Sequence, residues 1–255
     1  MKLSPSLITR LVFACVAIVL TGCSTTNSAN NEHSDPLEPV NRAIWTFNWD
    51  YADKYVLKPA SKTYVTYVPQ PLRKGIYNVV LNINEPFSAV NSLLQLKVNR
   101  AAQTTGRFVL NSTVGLLGFF DVASYAGLTR EEEEFGEVLG YYGVEDGPYL
   151  MLPLFGPSSV RDGTGDLVDS IYWPLAVIDF WPNVARYMVI GLETRAQLED
   201  QEALLNDSVD PYEFVKQVYF QNIEYRLYDG NPPLVIDEEE EAELDEDLDD
   251  LLEDL

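Results

Sequence analysis

Residues 35–58, DPLEPVNRAIWTFNWDYADKYVLK, set the architecture that we expect for the whole chain. The stretch begins with Asp, Pro and a Glu three residues after the Asp, a pattern typical of a helix N-terminus. Apolar side chains then recur every three or four residues, at Leu37, Val40, Ile44, Phe47, Tyr51 and Tyr55. This spacing predicts one face of a helix that ends near Lys58, before Pro59. Trp45 and Trp49 lie off that face, which a helix buried on both sides would explain.

Gly and Pro divide the remaining chain into further amphipathic segments, and Asp210-Pro211 repeats the helix start of residue 35. We expect helices over residues 60–67, 72–81, 84–108, 158–169, 183–205 and 211–229. Residues 171–181 are strongly apolar but too short to span a bilayer, and suit an interfacial or re-entrant segment. The pattern predicts a single all-α domain over residues 35–230, built from short and medium helices.

The residue composition changes between Gly136 and Pro157, where glycines and prolines alternate with aromatic and aliphatic residues. This composition predicts a flexible apolar hairpin or loop. It does not indicate a phosphate-binding loop, because the strand, glycine loop, lysine and helix do not follow in the required order. The acidic run Glu131–Glu134 precedes it, and we interpret the run as a solvated helix start that complements the helix dipole.

Composition excludes several kinds of chemistry. The 255 residues carry a net charge of −23, which argues against nucleic-acid binding. Two cysteines, Cys15 and Cys23, and one histidine, His33, supply no disulfide framework, zinc site or Cys/His catalytic pair. We therefore expect no metal and no cofactor, and an enzyme is the weaker class, although a carboxylate pair among the 40 acids stays possible in principle.

The N-terminus has the pattern of an export signal and a lipid anchor. Lys2 and Arg10 flank a short apolar run that ends in Leu20-Thr21-Gly22-Cys23, which resembles the bacterial lipobox. We predict a signal peptide over residues 1–22 and a lipidated Cys23 on a polar tether, residues 23–34. By the same resemblance Cys23 carries palmitate-like acyl chains, and Ser24 favours the outer membrane. An ordinary secretory signal is the alternative.

The C-terminus is a separate acidic segment. Residues 237–255 contain thirteen acids and no basic residue. We expect residues 231–255 to be a solvated, disordered tail. The leucines of this segment fall on one helical face, so a partner that folds it is the alternative.

A series of short motifs runs in order through residues 35 to about 229: DPLEPVNR (35–42), YVPQP (67–71), NEP (84–86), RFVLNS (107–112), FGEVLGYYG (135–143), GPY (147–149), ETRAQL (193–198) and SVDPY (208–212). This series resembles the MlaA (VacJ) family of outer-membrane lipoproteins. The acidic tail is not part of the pattern.

The resemblance implies a ring-like helical bundle that lies in one membrane leaflet, usually beside a trimeric porin. An amphipathic channel through the ring would let misplaced phospholipids leave the outer leaflet for a periplasmic carrier protein, which maintains outer-membrane lipid asymmetry. The alternatives are a structural lipoprotein that scaffolds a porin without transport, and a lipid-cleaving enzyme.

The resemblance also implies candidate site residues. The segment from Phe135 to Phe155 would gate or line the channel, through Phe135, Gly136, Gly140, Gly143, Gly147, Pro148, Pro153 and Phe155. On the first helix we expect Trp45, Asn48 and Trp49 to face the membrane. A packed surface hairpin without a gating role is the alternative.

Overall fold

The computed structural model describes residues 35–171, 174 and 177–233. The predicted signal peptide, Cys23, His33 and the tether lie outside the described residues, as does the acidic tail from residue 234 onwards. Within the described residues no helix is both long enough and apolar enough to cross a bilayer.

The described chain is mostly helical, as the sequence predicts. A π-helical segment, Phe47–Leu57, follows the first α-helix, and a 3₁₀ turn, Leu198–Gln201, follows the eighth. The α-helices are α1 Glu38–Thr46, α2 Lys58–Tyr67, α3 Gln70–Leu94, α4 Val98–Thr113, α5 Val122–Tyr125, α6 Phe135–Tyr141, α7 Val160–Asp169, α8 Phe180–Gln197, α9 Glu202–Asp207 and α10 Pro211–Leu227. Two short strands, β1 Tyr149–Leu152 and β2 Gly156–Ser159, form an antiparallel hairpin with Tyr149 opposite Ser159.

Some helix boundaries match the sequence expectation closely. The carboxylate of Asp210 accepts hydrogen bonds from the amides of Tyr212 and Glu213, at 3.0 and 3.3 Å, so the predicted cap of α10 is confirmed. The helix α2 covers the predicted residues 60–67. These boundaries were predictable because a cap and a proline act within one turn of the chain.

Other boundaries are wrong, and proline is the reason. Pro59 does not end the first helical stretch, because it falls in the first turn of α2. Backbone N–H groups in the first turn have no acceptor within the helix, so a proline there costs no hydrogen bond. Pro86 lies inside α3, which runs unbroken over the predicted gap. The break comes instead after α3, where Leu96 adopts a φ of 62° and the chain turns back so that α4 packs on α3.

The helices α6 and α7 pack unusually closely through two glycines. A Cβ added to Gly165 on α7 would lie 2.3 Å from the backbone nitrogen of Gly136 on α6. A Cβ added to Gly163, in the same helix, would meet only the Ser158 hydroxyl oxygen, at 3.6 Å. The contact at Gly165 therefore allows no side chain, whereas Gly163 has room for one.

We expect Gly165→Ala to lower the free energy of unfolding by about 2 kcal/mol, because a methyl group must push two backbones apart. Gly163→Ala is the matched control, and should be neutral or stabilise by up to about 1 kcal/mol through helix propensity. Thermal unfolding of both variants in detergent, followed by circular dichroism, measures the difference. Equal midpoints would contradict the close packing of α6 on α7.

Candidate functional site

The apolar stripe of the first helical stretch faces outward. Val40 and Phe47 are about half exposed, and the side chains of Tyr51 and Tyr55 are more exposed still. The buried positions on the same stretch are polar, since Asn41 is 2% exposed and Asp53 is 7% exposed. The expectation of a helix buried on both sides is therefore wrong, because the side that faces the protein is the polar one.

Buried ion pairs fill much of the interior. Arg107, which is 2% exposed, donates from Nε to Glu85 Oε1 at 3.0 Å and from Nη2 to Asp121 Oδ1 at 3.1 Å. Two further buried pairs are Arg195 with Asp53 and Arg73 with Glu193. Pairing of this kind offsets much of the free-energy cost of burying a charge. The described protein thus has a polar interior beneath many exposed apolar side chains.

The acidic run before α6 is part of that interior. Glu133 is 1% exposed, and its carboxylate accepts hydrogen bonds from Gln95 at 2.6 Å, Lys97 at 3.2 Å and Arg100. Our expectation of a solvated run is therefore wrong at Glu133, because α3 and α4 supply donors that replace water. Burial raises the pKa of the neighbouring Glu137 to about 9. A hydrogen bond from the Glu137 side chain, followed by Arg100 and Lys97, holds the pKa of Glu133 below its usual value despite burial.

The predicted channel hairpin is shorter than we expected. Phe135, Gly136 and Gly140 lie in α6, because the acidic run starts a helix there and Gly136 packs against α7. Gly143 and Gly147 lie in the loop before β1, with φ values of 84° and 68° that favour glycine. Of the predicted residues, Pro148, Pro153 and Phe155 belong to the hairpin and its entry.

The tip of the hairpin reaches helix α8. Leu154 and Phe155 are exposed at this tip, between β1 and β2. The Phe155 ring meets the Tyr187 ring edge-on, with 5.7 Å between the centroids. The hairpin tip therefore ends in a contact between two aromatic rings, one of which belongs to a different helix.

Two asparagines of the first helical stretch bond to the backbone of the hairpin. The Asn41 amide donates to the carbonyl of Tyr149 at 3.0 Å and accepts from the amide of Met151 at 2.9 Å. The Asn48 amide donates to the carbonyl of Leu152 at 2.9 Å and accepts from the amide of Leu154 at 2.8 Å. Each side chain thus bonds one carbonyl and the amide two residues later, Asn41 within β1 and Asn48 at the end of β1 and in the turn. We refer to this pair as the asparagine clamp.

That Trp45, Asn48 and Trp49 face the membrane stays a prediction, on which the contacts of these three side chains bear. Both amide groups of the clamp bond to the hairpin, so Asn48 points into the protein. The Trp45 and Trp49 rings are half-buried and stack at 5.6 Å, and Trp45 packs on the small apolar core formed by Tyr149, Met151, Tyr212 and Phe220. The outward side is the apolar stripe instead, since the clamp fixes the rotation of the helix.

Sequence reasoning missed Asn41, the other half of the clamp, and Tyr187, which contacts the hairpin tip. A weak signal for Asn41 existed, because Asn41 and Asn48 are seven residues apart and therefore share a side of a helix. Nothing local marks Tyr187, since its partner Phe155 lies far away in the sequence.

We expect Asn48→Leu to release the hairpin tip from the first helical stretch. Losing two hydrogen bonds to the Leu152 carbonyl and the Leu154 amide should speed hydrogen exchange of the tip by about tenfold. Exchange of a peptide covering residues 149–159, followed by mass spectrometry, measures the effect. Asn222→Leu, the same change at an exposed position of α10, is the control. Unchanged exchange in the Asn48 variant would rule out the clamp.

Comparison with known proteins places this architecture in a family. The family model described as MlaA lipoprotein matches residues 33–226. The chain is 40% identical over 210 residues to the Intermembrane phospholipid transport system lipoprotein MlaA of Escherichia coli (strain K12), which covers 81% of this chain and 84% of that protein. The protein of the same name from Haemophilus influenzae is 36% identical over 224 residues, covering 84% and 88%.

The fold is also similar to a solved structure, described as "Structural basis for maintenance of bacterial outer membrane lipid asymmetry". The TM-score is 0.73 at 42% identity, and the similarity covers 76% of this chain and 100% of that chain. Because the family model and these relatives match most of the sequence, the chain belongs to the MlaA lipoprotein family.

Proposed function

We propose that the protein is an outer-membrane lipoprotein that removes mislocalised phospholipids from the outer leaflet and passes them to a periplasmic carrier protein. It would thereby maintain lipid asymmetry as a component of intermembrane phospholipid transport. The observation that carries the proposal is the reversed polarity of the described residues, with charge pairs inside and apolar side chains outside. The names of the related proteins, which describe an intermembrane phospholipid transport system, support it.

A phospholipid needs two environments in order to pass. Its acyl chains need apolar surface, and its head group needs polar partners, because a charged group is costly to bury without them. The outward stripe of α1 and the π-helical segment supplies the first environment. The second would be an amphipathic channel between the helices, with the interior polar side chains along it.

Arg186 is the side chain best suited to a phosphate head group. It is 8% exposed, and in the described part of the chain its hydrogen bonds go to asparagines and not to a carboxylate. Its guanidinium donates only to the neutral oxygens of Asn84, at 3.2 Å, and Asn183, at 3.3 Å. A buried guanidinium without a counter-ion favours an anionic ligand, and phosphate matches its donor geometry.

The hairpin tip lies next to this arginine. The Arg186 guanidinium is 4.6 Å from the centre of the Tyr187 ring, and that ring contacts Phe155. We assign to the hairpin the role of a gate whose tip contacts acyl chains, with Gly143 and Gly147 as its hinge. The exposed apolar side chains would contact lipid and an outer-membrane porin, and Cys23 would supply the anchor.

Deleting the gene should raise the amount of phospholipid in the outer leaflet of the outer membrane, measured by an assay for surface-exposed phospholipid acylation. Wild-type protein should restore the normal level, and Cys23→Ala should not, because the unanchored chain leaves the membrane. No rise in the deletion strain would contradict transport and favour a protein that only scaffolds a porin. Full rescue by Cys23→Ala would show that transport does not require lipidation of Cys23, and would contradict that part of the proposal.

Reversing the charge at Arg186 should block the head-group path. We expect Arg186→Glu to leave surface phospholipid as high as the deletion does, through repulsion of the phosphate, and Arg186→Lys to retain part of the activity. Lys74→Glu makes the same charge change at an exposed position of α3 and should behave as wild type. Normal transport by a stably expressed Arg186→Glu protein would contradict a role in head-group passage.

A further inference from the structure

The end of α4 and the turn between α4 and α5 carry no charge. Residues 108–120 read FVLNSTVGLLGFF and contain no acidic or basic residue, although Arg107 and Asp121 flank them directly. Val114, Leu116, Leu117 and Phe120 are all more than half exposed. We call residues 114–120 the leucine turn. These four side chains lie exposed at the C-terminal end of α4.

Two consecutive leucines of this turn adopt a conformation that L-residues avoid. Leu116 has a φ of 53° and Leu117 a φ of 60°. Glycine adopts this region at no steric cost, and the neighbouring Gly118 does so. The turn thus holds two strained leucines with exposed side chains at positions where glycine would fold more easily. Their side chains therefore serve something other than local folding.

The backbone of the leucine turn is hydrogen-bonded within itself. The amide of Leu117 donates to the Ser112 carbonyl at 3.2 Å and that of Gly118 to the Asn111 carbonyl at 2.7 Å. The amide of Phe119 donates to the Leu116 carbonyl at 3.2 Å, and that of Phe120 to the Gly115 carbonyl at 2.9 Å. Irregular backbone enters hydrocarbon only when its polar groups are satisfied, and this turn largely meets that condition.

The base of the turn is rigid and polar. Asp121 accepts from the Arg107 guanidinium at 3.1 Å and from the Asn111 amide at 2.9 Å. The Phe119 ring fills the space over Gly75, where an added Cβ would lie 2.3 Å from it. Because the turn is already ordered, inserting it into a membrane would cost little further conformational entropy.

We propose that the leucine turn is a wedge that inserts into the acyl-chain region of the bilayer and fixes how deep α3 and α4 lie. Hydrocarbon fits the turn better than a protein partner does, because the turn offers no charge for pairing and most of its amides bond to carbonyls of the turn or of α4. The inference takes the membrane setting from the proposed function. It concerns the depth of the turn in the bilayer and not lipid transport, so the experiments can contradict the wedge without contradicting the proposed function.

The depth of Leu117 can be measured directly in the full-length lipoprotein. The mature chain would carry no free thiol, since Cys15 leaves with the signal and Cys23 is lipidated, so Leu117→Cys takes one fluorescent label. In vesicles of phosphatidylethanolamine and phosphatidylglycerol, we expect acyl-chain spin labels to quench it and aqueous iodide not to. A label at Val209→Cys, between the acidic residues Asp207 and Asp210, should show the opposite pattern.

Two results would overturn the wedge. One is iodide quenching at residue 117 equal to that at residue 209. The other is loss of acyl-chain quenching when a purified porin trimer is added, which would reassign the turn to a protein interface.

A second variant separates insertion from folding. Leu116→Gly/Leu117→Gly relieves the strain, so its thermal midpoint in detergent should equal or exceed that of the wild type. A label at Phe120→Cys in this background should lose acyl-chain quenching by about threefold, because the apolar area that holds the turn in the bilayer is gone. A lower midpoint with unchanged quenching would show that the leucines serve folding, and would contradict the proposal.

Discussion

The buried guanidinium of Arg107, bonded to Glu85 and Asp121, ties α3, α4 and the start of α5 together. Removing one partner of such a buried pair costs about 3–5 kcal/mol, because an uncompensated charge remains. The pair therefore fixes which sides of α3 and α4 face each other. Equivalent pairs fix α8 against the π-helical segment and against α3, at Arg195 with Asp53 and at Arg73 with Glu193. Because these ion pairs turn the polar faces of the helices inward, the apolar faces of the same helices lie on the exterior.

An exterior of this kind is a liability in water and an advantage at a membrane. Large exposed apolar surfaces mark contacts with protein or lipid, and short helices of the described chain can lie along a leaflet without crossing it. The same reversal leaves polar side chains available inside for a head group. Tyr149 and Met151 at the base of the hairpin are packed in the apolar core, whereas Asn48 of the clamp holds the exposed tip through two hydrogen bonds. Such a contact can open and close at modest cost.

Local signals predicted well the elements that depend on local chemistry. The cap at Asp210, the helix over residues 60–67 and the helical character of the domain follow from residues within one or two turns of each other. Prediction failed at Pro59 and Pro86, because the effect of a proline depends on whether its site begins a helix or lies in one held by packing. It also failed at Glu133, whose partners Gln95, Lys97 and Arg100 come from a helix pair distant in sequence.

By itself, the sequence determined the helical class, the absence of recognisable Cys/His chemistry, and the family resemblance that led to a function in lipid transport. Its apolar periodicity determined that α1 has a stripe, since spacing along a helix is a local property. Only the tertiary structure decided that the stripe points outward and that Asn41, Asn48 and Asp53 point inward. The physical reason is that periodicity shows that a helix has an apolar and a polar face, but not which face packs on the protein and which is exposed. Ion pairs and hydrogen bonds between residues distant in sequence decide this.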